Sequence, residues 1–195
     1  ADAVAWIAMF KADKKFSKIY VLGHSEGSLI GIIAAEQIPV DGLISIAGVG
    51  RTADKIILEQ IKNQPKEFVD QTKSILDSLV SGKLVKNVSP QMQMLFRPSV
   101  QPYMISWLKY DPAKEIKNLL KPVLIVQGTN DIQVSVEDAK LLSAAKPDAK
   151  LLIIEKMNHI MKECDADLNK NYETYNKPDL PLKSGLVDGI LDFVK

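Results

Sequence analysis

The chain has 195 residues, 46% of them apolar, enough to bury the core of a globular domain. Its acids and bases are interleaved and its formal charge is +1, so it offers no clustered basic surface to nucleic acid or an anionic membrane, and its apolar runs are far shorter than a membrane span. The single cysteine, Cys164, excludes an internal disulfide and reads as an ordinary free thiol, and one cysteine with two histidines all but excludes a structural zinc site.

The chain opens on "ADAVAWIAMFKAD", which sets Val4, Ile7 and Ala8 at helical spacing. Four short runs then read as buried parallel strands: "KIYVLG" (18–23), "DGLISIAG" (41–48), "PVLIVQG" (122–128) and "KLLIIEK" (150–156). Each is rich in Val, Ile and Leu, lacks alternation, and ends at Gly or a polar cluster, the pattern of strands covered on both faces. Helical patterns separate them. "GSLIGIIAAEQI" stops at Pro39, and "SVEDAKLLSAA" opens on a Ser135-x-x-Asp138 cap signal and ends before Pro147. "SGLVDGILDFVK" closes the chain with Leu186, Ile190, Leu191 and Val194 on one face. Alternating strands and helices specify an α/β fold with a mainly parallel sheet.

Residues 51 to about 117 break the alternation with several helical patterns and no strand, an insertion between two strands. Phe68, Thr72, Ile75, Leu76 and Leu79 form one stripe that finishes at Gly82. Met92, Met94, Phe96, Met104 and Trp107 follow, interrupted by prolines. They have two readings: the ordinary core of the insertion, or an adaptable apolar wall over a substrate pocket.

The junction between the first strand and its helix is "GHSEGS", and Gly23-His24-Ser25-Glu26-Gly27 fits G-x-S-x-G. A serine on a sharp strand-to-helix turn has a strained backbone, so Gly23 and Gly27 are expected to supply the room it needs, and Gly31 to let the helix lie close to the sheet. The helix N-terminus would then face any anion formed at Ser25, with the Glu26 N–H as one oxyanion donor. A chance match to the pattern arises in about one chain in fifteen of this length, so its place between strand and helix carries the weight.

A serine nucleophile needs a base and a group to orient it. His24, adjacent to Ser25 and directed elsewhere in the turn, reads as packing, which leaves His159 in "EKMNHIMKE" just past the last strand. Asp131, just past the third strand in "LIVQGTNDIQVS", is the orienting carboxylate, although a loop aspartate is also a common turn-former. Both follow carboxyl ends of strands, where open α/β sheets hold their sites, and the order Ser25, Asp131, His159 is the hydrolase order.

On "GHSEGS", "PVLIVQGTNDIQV", "MNHIMKE" and "TYNKPDLPLKSGLVDGILDFV", the whole chain resembles the α/β-hydrolase superfamily, closest to its bacterial esterase-like members grouped with serine aminopeptidases and lysophospholipases. The resemblance implies one α/β-hydrolase domain over 1–195 with residues 51–117 as a helical cap. It implies Ser25 as nucleophile, His159 as base and later acid, Asp131 as orienter, an acyl-enzyme hydrolysed by water, and no cofactor. Such proteins carry further strands and a second oxyanion donor before the nucleophile strand. The expectation is therefore a C-terminal portion whose sheet an N-terminal portion of the same protein completes.

The leading expectation is hydrolysis of a small-molecule carboxylic ester with a small or medium acyl group. A peptidase or lysophospholipase with the same triad is the alternative; an aminopeptidase would need a carboxylate in the insertion, where Glu59, Glu67, Asp70 and Asp77 stand, each also readable as a solvated helix face. A ligand-binding protein without turnover is the third reading.

Overall fold

The computed structural model describes all 195 residues. They form two compact units: residues 1–50 with 112–195, and residues 51–111. The helical insertion thus ends at Asp111 rather than near residue 117, because the helix that follows packs with the sheet unit.

The sheet unit contains four parallel strands in the order β1-β2-β3-β4: β1 (Tyr20–His24), β2 (Gly42–Ile46), β3 (Val123–Gly128) and β4 (Lys150–Ile154). All four expected strands are present, in chain order across the sheet. Tyr20 pairs with Gly42, Leu43 with Val123 and Leu124 with Lys150, so the strands keep near-level starts and their carboxyl ends fall along one edge. Helices α1 (Asp2–Ala12) and α2 (Glu26–Gln37) flank β1 in the chain. The insertion carries α3 (Ala53–Gln60), α4 (Lys66–Val80), α5 (Gln93–Phe96) and α6 (Gln101–Trp107). Then come α7 (Pro112–Lys117), α8 (Val136–Ala145), α9 (Leu168–Thr174) and α10 (Leu186–Val194).

Strand parity divides the core. Leu43, Val123 and Ile125 face Ile7 of α1, Ile32 and Ala35 of α2, Ile116 of α7 and Leu142 of α8. Their alternates Ile44, Ile46, Leu124 and Val126 face Leu186 of α10. Both faces of β2 and β3 are therefore covered, which is why neither strand alternates in sequence. The outer strands differ from expectation. Leu22 in β1 is 51% exposed and joins neither core cluster of the sheet, while Tyr20 on the same face meets Phe193 of α10. In β4, Lys150 and Leu151 are exposed as well.

Other departures are local. In α1 only Ile7 is buried and Ala8 is exposed; in α10 Leu191 is exposed while Leu186 is buried. Ser135 does precede α8, but its hydroxyl donates to the Asp138 carboxylate at 2.8 Å and accepts no backbone N–H of the helix. Asp138 is turned inward, where its other oxygen accepts the Gly50 N–H, so the cap residue follows it.

The insertion has its own core. Ile75, Leu76 and Leu79 of α4 pack with Met92, Phe96, Met104 and Leu108, and buried Thr72 donates to the Met92 sulfur. Buried Gln101 ties the preceding loop down: its Nε2 donates to Val85 O and Phe96 O, and its Oε1 accepts the Val85 N–H.

Candidate active site

β1 ends at His24, and Ser25 caps α2 with φ 55° and ψ −123°. That backbone is costly for any residue with a side chain and persists only when its surroundings impose it. Here the Ser25 N–H donates to Ile46 O of β2, and the Ser25 carbonyl accepts the Ser28 N–H. The two flanking glycines are not equivalent. A Cβ on Gly23 would lie 2.1 Å from the Gly27 carbonyl oxygen, so the turn can close only over a bare α-carbon. A Cβ on Gly27 would meet nothing within 4 Å, so the expectation that Gly27 supplies room is corrected: its backbone is what fills the space Gly23 leaves. Gly31 behaves as expected: a Cβ there would lie 3.0 Å from Val21 Cγ1 and 3.1 Å from Leu43 Cδ1.

Asp131 and His159 come together. The Asp131 side chain is 1% exposed and that of His159 6%, and His159 Nδ1 donates to Asp131 Oδ2 at 2.8 Å. Asp131 Oδ2 also accepts from Gln127 Nε2 at 3.0 Å, and Oδ1 accepts the N–H groups of Gln133 (2.8 Å) and Val134 (2.9 Å). Four donors thus occupy both oxygens of a buried carboxylate, and no lone-pair site is left to strain for water.

Gln127 escaped the sequence reading. It is fully buried in β3, and its amide nitrogen faces three acceptors: Asp131 Oδ2, Val134 O at 3.0 Å and Gly128 O at 3.4 Å. The opposite amide orientation would set oxygen against oxygen, so the nitrogen side is fixed, and its Oε1 is left buried without a partner. The asparagines were missed too, though each precedes a site residue: Asn130 before Asp131 and Asn158 before His159. Asn130 Nδ2 donates to Cys164 O, and Asn171 Nδ2 of α9 donates to Asn130 O at 2.7 Å. Asn158 Nδ2 donates to Thr174 Oγ1 at 2.7 Å, while its Oδ1 accepts the Lys162 N–H. One polar network therefore fastens the Asp131 loop and the His159 loop to α9. The loops also abut directly, since a Cβ on Gly128 would lie 2.1 Å from Met157 O.

The elbow meets the histidine loop through His24. Its Nε2 lies 2.8 Å from the backbone oxygen of His159, and the two imidazole rings are 4.7 Å apart at 48°. His24 thus does more than the packing expected of it. Burial lowers its pKa below the ordinary value, outweighing the rise from the His159 carbonyl bond. Burial raises the Glu26 pKa, at the first residue of α2. Cys164 is a free, buried thiol whose pKa burial also raises. No three His, Cys, Asp or Glu side chains are gathered in a way that could hold a metal ion.

No protein-family profile matches the chain. Esterase EstD of Thermotoga maritima is 29% identical over 167 residues, which are 82% of this chain and 39% of that protein. Est1E from Butyrivibrio proteoclasticus, solved with ferulic acid bound, superposes with a TM-score of 0.58 at 16% identity, over 99% of this chain and 66% of that one. The putative non-heme bromoperoxidase BpoC from Mycobacterium tuberculosis H37Rv gives 0.53 at 16% identity, over 98% and 72%. MGS-MChE2, an α/β hydrolase from a lagoon-sediment metagenome, gives 0.50 at 21% identity, over 91% and 69%. The fold is that of the α/β-hydrolases. In sequence the chain is similar to an esterase, and it spans 39% of that relative's length.

In this fold the five residues that one reading sets along a substrate pocket are placed differently. Met92, Phe96 and Met104 are buried in the insertion's own core, where no side-chain surface is left for a ligand. Trp107 packs against that core, and Met94 is 84% exposed. The five do not form one surface, so the plainer of their two readings holds for Met92, Phe96 and Met104.

Proposed function

We propose that the chain carries the catalytic residues of a serine hydrolase that cleaves carboxylic esters. Ser25 Oγ attacks the ester carbonyl carbon while His159 Nε2 takes its proton. The oxyanion accepts the Glu26 N–H, with the N-terminus of α2 behind it. Collapse of the tetrahedral intermediate breaks the bond to the alkoxy oxygen, which leaves as the alcohol with the proton from His159. Water, deprotonated by the same histidine, then attacks the acyl carbon; collapse breaks the bond to Ser25 Oγ, which regains a proton from His159 as the acid leaves. Asp131 holds His159 with Nδ1 protonated throughout, so Nε2 is the basic nitrogen. No cofactor enters these steps.

One observation carries the reading: a saturated, buried carboxylate orients a histidine whose own peptide is bonded to the residue before a serine at φ 55°. The similarity to Esterase EstD supports an ester as the substrate class. β1 has one unpaired edge, and we propose that a further segment of the same protein pairs with it. The test of the chemistry is intact mass after a fluorophosphonate, which traps only an activated serine, beside a Ser25→Ala control. One adduct, lost in the control, is expected, followed by turnover of short-chain aryl esters. No adduct on folded protein refutes the reading.

A further inference from the structure

His24 joins two parts of the chain that the sheet order keeps apart. It ends β1, at one edge of the sheet, whereas His159 follows β4, at the other. The hydrogen bond between His24 Nε2 and His159 O spans 135 residues of sequence at 2.8 Å. A carbonyl oxygen can only accept, so Nε2 bears the proton and neutral His24 is the Nε2–H tautomer. Other bonds of the loop run elsewhere: Asn130 N donates to Met157 O, Lys156 N to Thr129 Oγ1, and Lys183 N to Met161 O. Those bonds fix the loop to the end of β3 and to the segment before α10. None of them sets its distance from the elbow.

We propose that His24 is a positioning residue whose Nε2–H holds the His159 peptide against the Ser25 elbow, setting the separation between nucleophile and base. The proposal rests on the serine-hydrolase reading above. Burial lowers the His24 pKa and so favours the neutral ring; the charge of His159 acts in the same direction, while the bond to the His159 carbonyl and the charge of Asp131 oppose it. A neutral donor suits the place, because a second cation 4.7 Å from the His159 ring would oppose formation of the imidazolium.

The test compares wild type, His24→Gln, which keeps an amide nitrogen donor at similar reach, and His24→Phe, which keeps a ring and loses the donor. Because the chain has two histidines, long-range ¹⁵N–¹H spectra of the wild type read both tautomers directly, with Ser25→Ala and His24→Gln assigning the signals. His24 is expected to carry its proton on Nε2. Hydrogen exchange of amides 158–161 is expected to rise about tenfold in His24→Phe, the worth of one such bond. The rate of Ser25 phosphonylation is expected to fall about tenfold or more, because a misplaced base loses its geometry. His24→Gln should keep both close to wild type.

An Nδ1–H tautomer at His24, equal exchange in all three proteins, or a Gln variant as impaired as the Phe variant each overturns the proposal. If His24→Phe does not fold, the wild-type tautomer and the Gln variant decide. Absence of phosphonylation in the wild type refutes the serine-hydrolase reading instead, while tautomer and exchange still judge whether His24 holds the loop.

Discussion

The two glycines of the elbow should answer the same substitution with opposite signs. An alanine Cβ at position 23 would sit 2.1 Å from Gly27 O, 2.4 Å from Gly27 C and 2.6 Å from Ser28 N, all backbone atoms of the first turn of α2. Reaching even 3.0 Å from the oxygen requires moving that turn by about 0.9 Å. Overpacking costs about 1–3 kcal/mol when side chains can yield, so a backbone clash belongs at or above about 3 kcal/mol. For a chain of this length that is a fall in Tm of about 6–12 °C. At position 27 the Cβ meets nothing within 4 Å and the residue is helical. Alanine there gains up to about 1 kcal/mol of helix propensity, less so near the terminus, so Tm should hold or rise by up to about 4 °C. Thermal melts of the two variants and wild type, with Ser25 phosphonylation rates, make the comparison. A Gly23→Ala melting point within about 2 °C of wild type, or a Gly27→Ala loss as large as that of Gly23→Ala, would refute the reasoning.

Three further outcomes are expected. Asp131→Asn leaves His159 without its carboxylate and should slow Ser25 phosphonylation by about 10³–10⁴, measured as a second-order rate on protein with a native circular dichroism spectrum. Gln127→Leu removes one of the four donors to Asp131 without touching substrate, and should lower kcat for an aryl ester about tenfold with KM little changed; a change in KM alone would contradict this role. The third concerns pH. Because the folded pKa of His24 lies below its ordinary value, the unfolded chain takes up this proton first as pH falls. The stability His24 contributes is therefore complete above about 6.5 and is lost as pH falls from there towards its folded pKa. Melts at pH 7.5 and 5.5 should show a larger fall for wild type than for His24→Gln.

The sheet was legible because its central strands are buried on both faces, and burial of that kind leaves an uninterrupted apolar run. The same property misleads at β1, whose sequence is as apolar as that of β2 although Leu22 is exposed. Composition records how apolar a strand is, and says nothing of what lies over it. The candidate site was legible where a local pattern carries it: G-x-S-x-G fixes a turn, and Asp131 and His159 stand directly after strands. Gln127, Asn130, Asn158 and Asn171 have no such pattern. Their partners are set by which loops the sheet brings together, and a glutamine one residue before a strand's end looks like the strand's polar limit. The second glycine of the elbow was misjudged for a related reason, since spacing names both glycines but only the fold decides whose α-carbon is crowded.

The two histidines, which stand at or past the carboxyl ends of opposite edge strands, are held in opposite tautomers. Each ring is bonded to a group that only accepts. The Asp131 carboxylate accepts the hydrogen bond from His159 Nδ1–H, and the His159 carbonyl accepts that from His24 Nε2–H. His159 is therefore left with a basic Nε2 and His24 with a basic Nδ1, of which burial weakens the second. The carboxylate cannot turn to serve another partner, because Gln127, Gln133 and Val134 occupy its remaining lone-pair sites. Moving it would leave buried donors unpaired, at about 1–3 kcal/mol each. The geometry of His159 is thus fixed from both ends, its ring by Asp131 and its peptide by His24. On the proposed reading, Ser25 meets a base whose free nitrogen is decided before any substrate arrives.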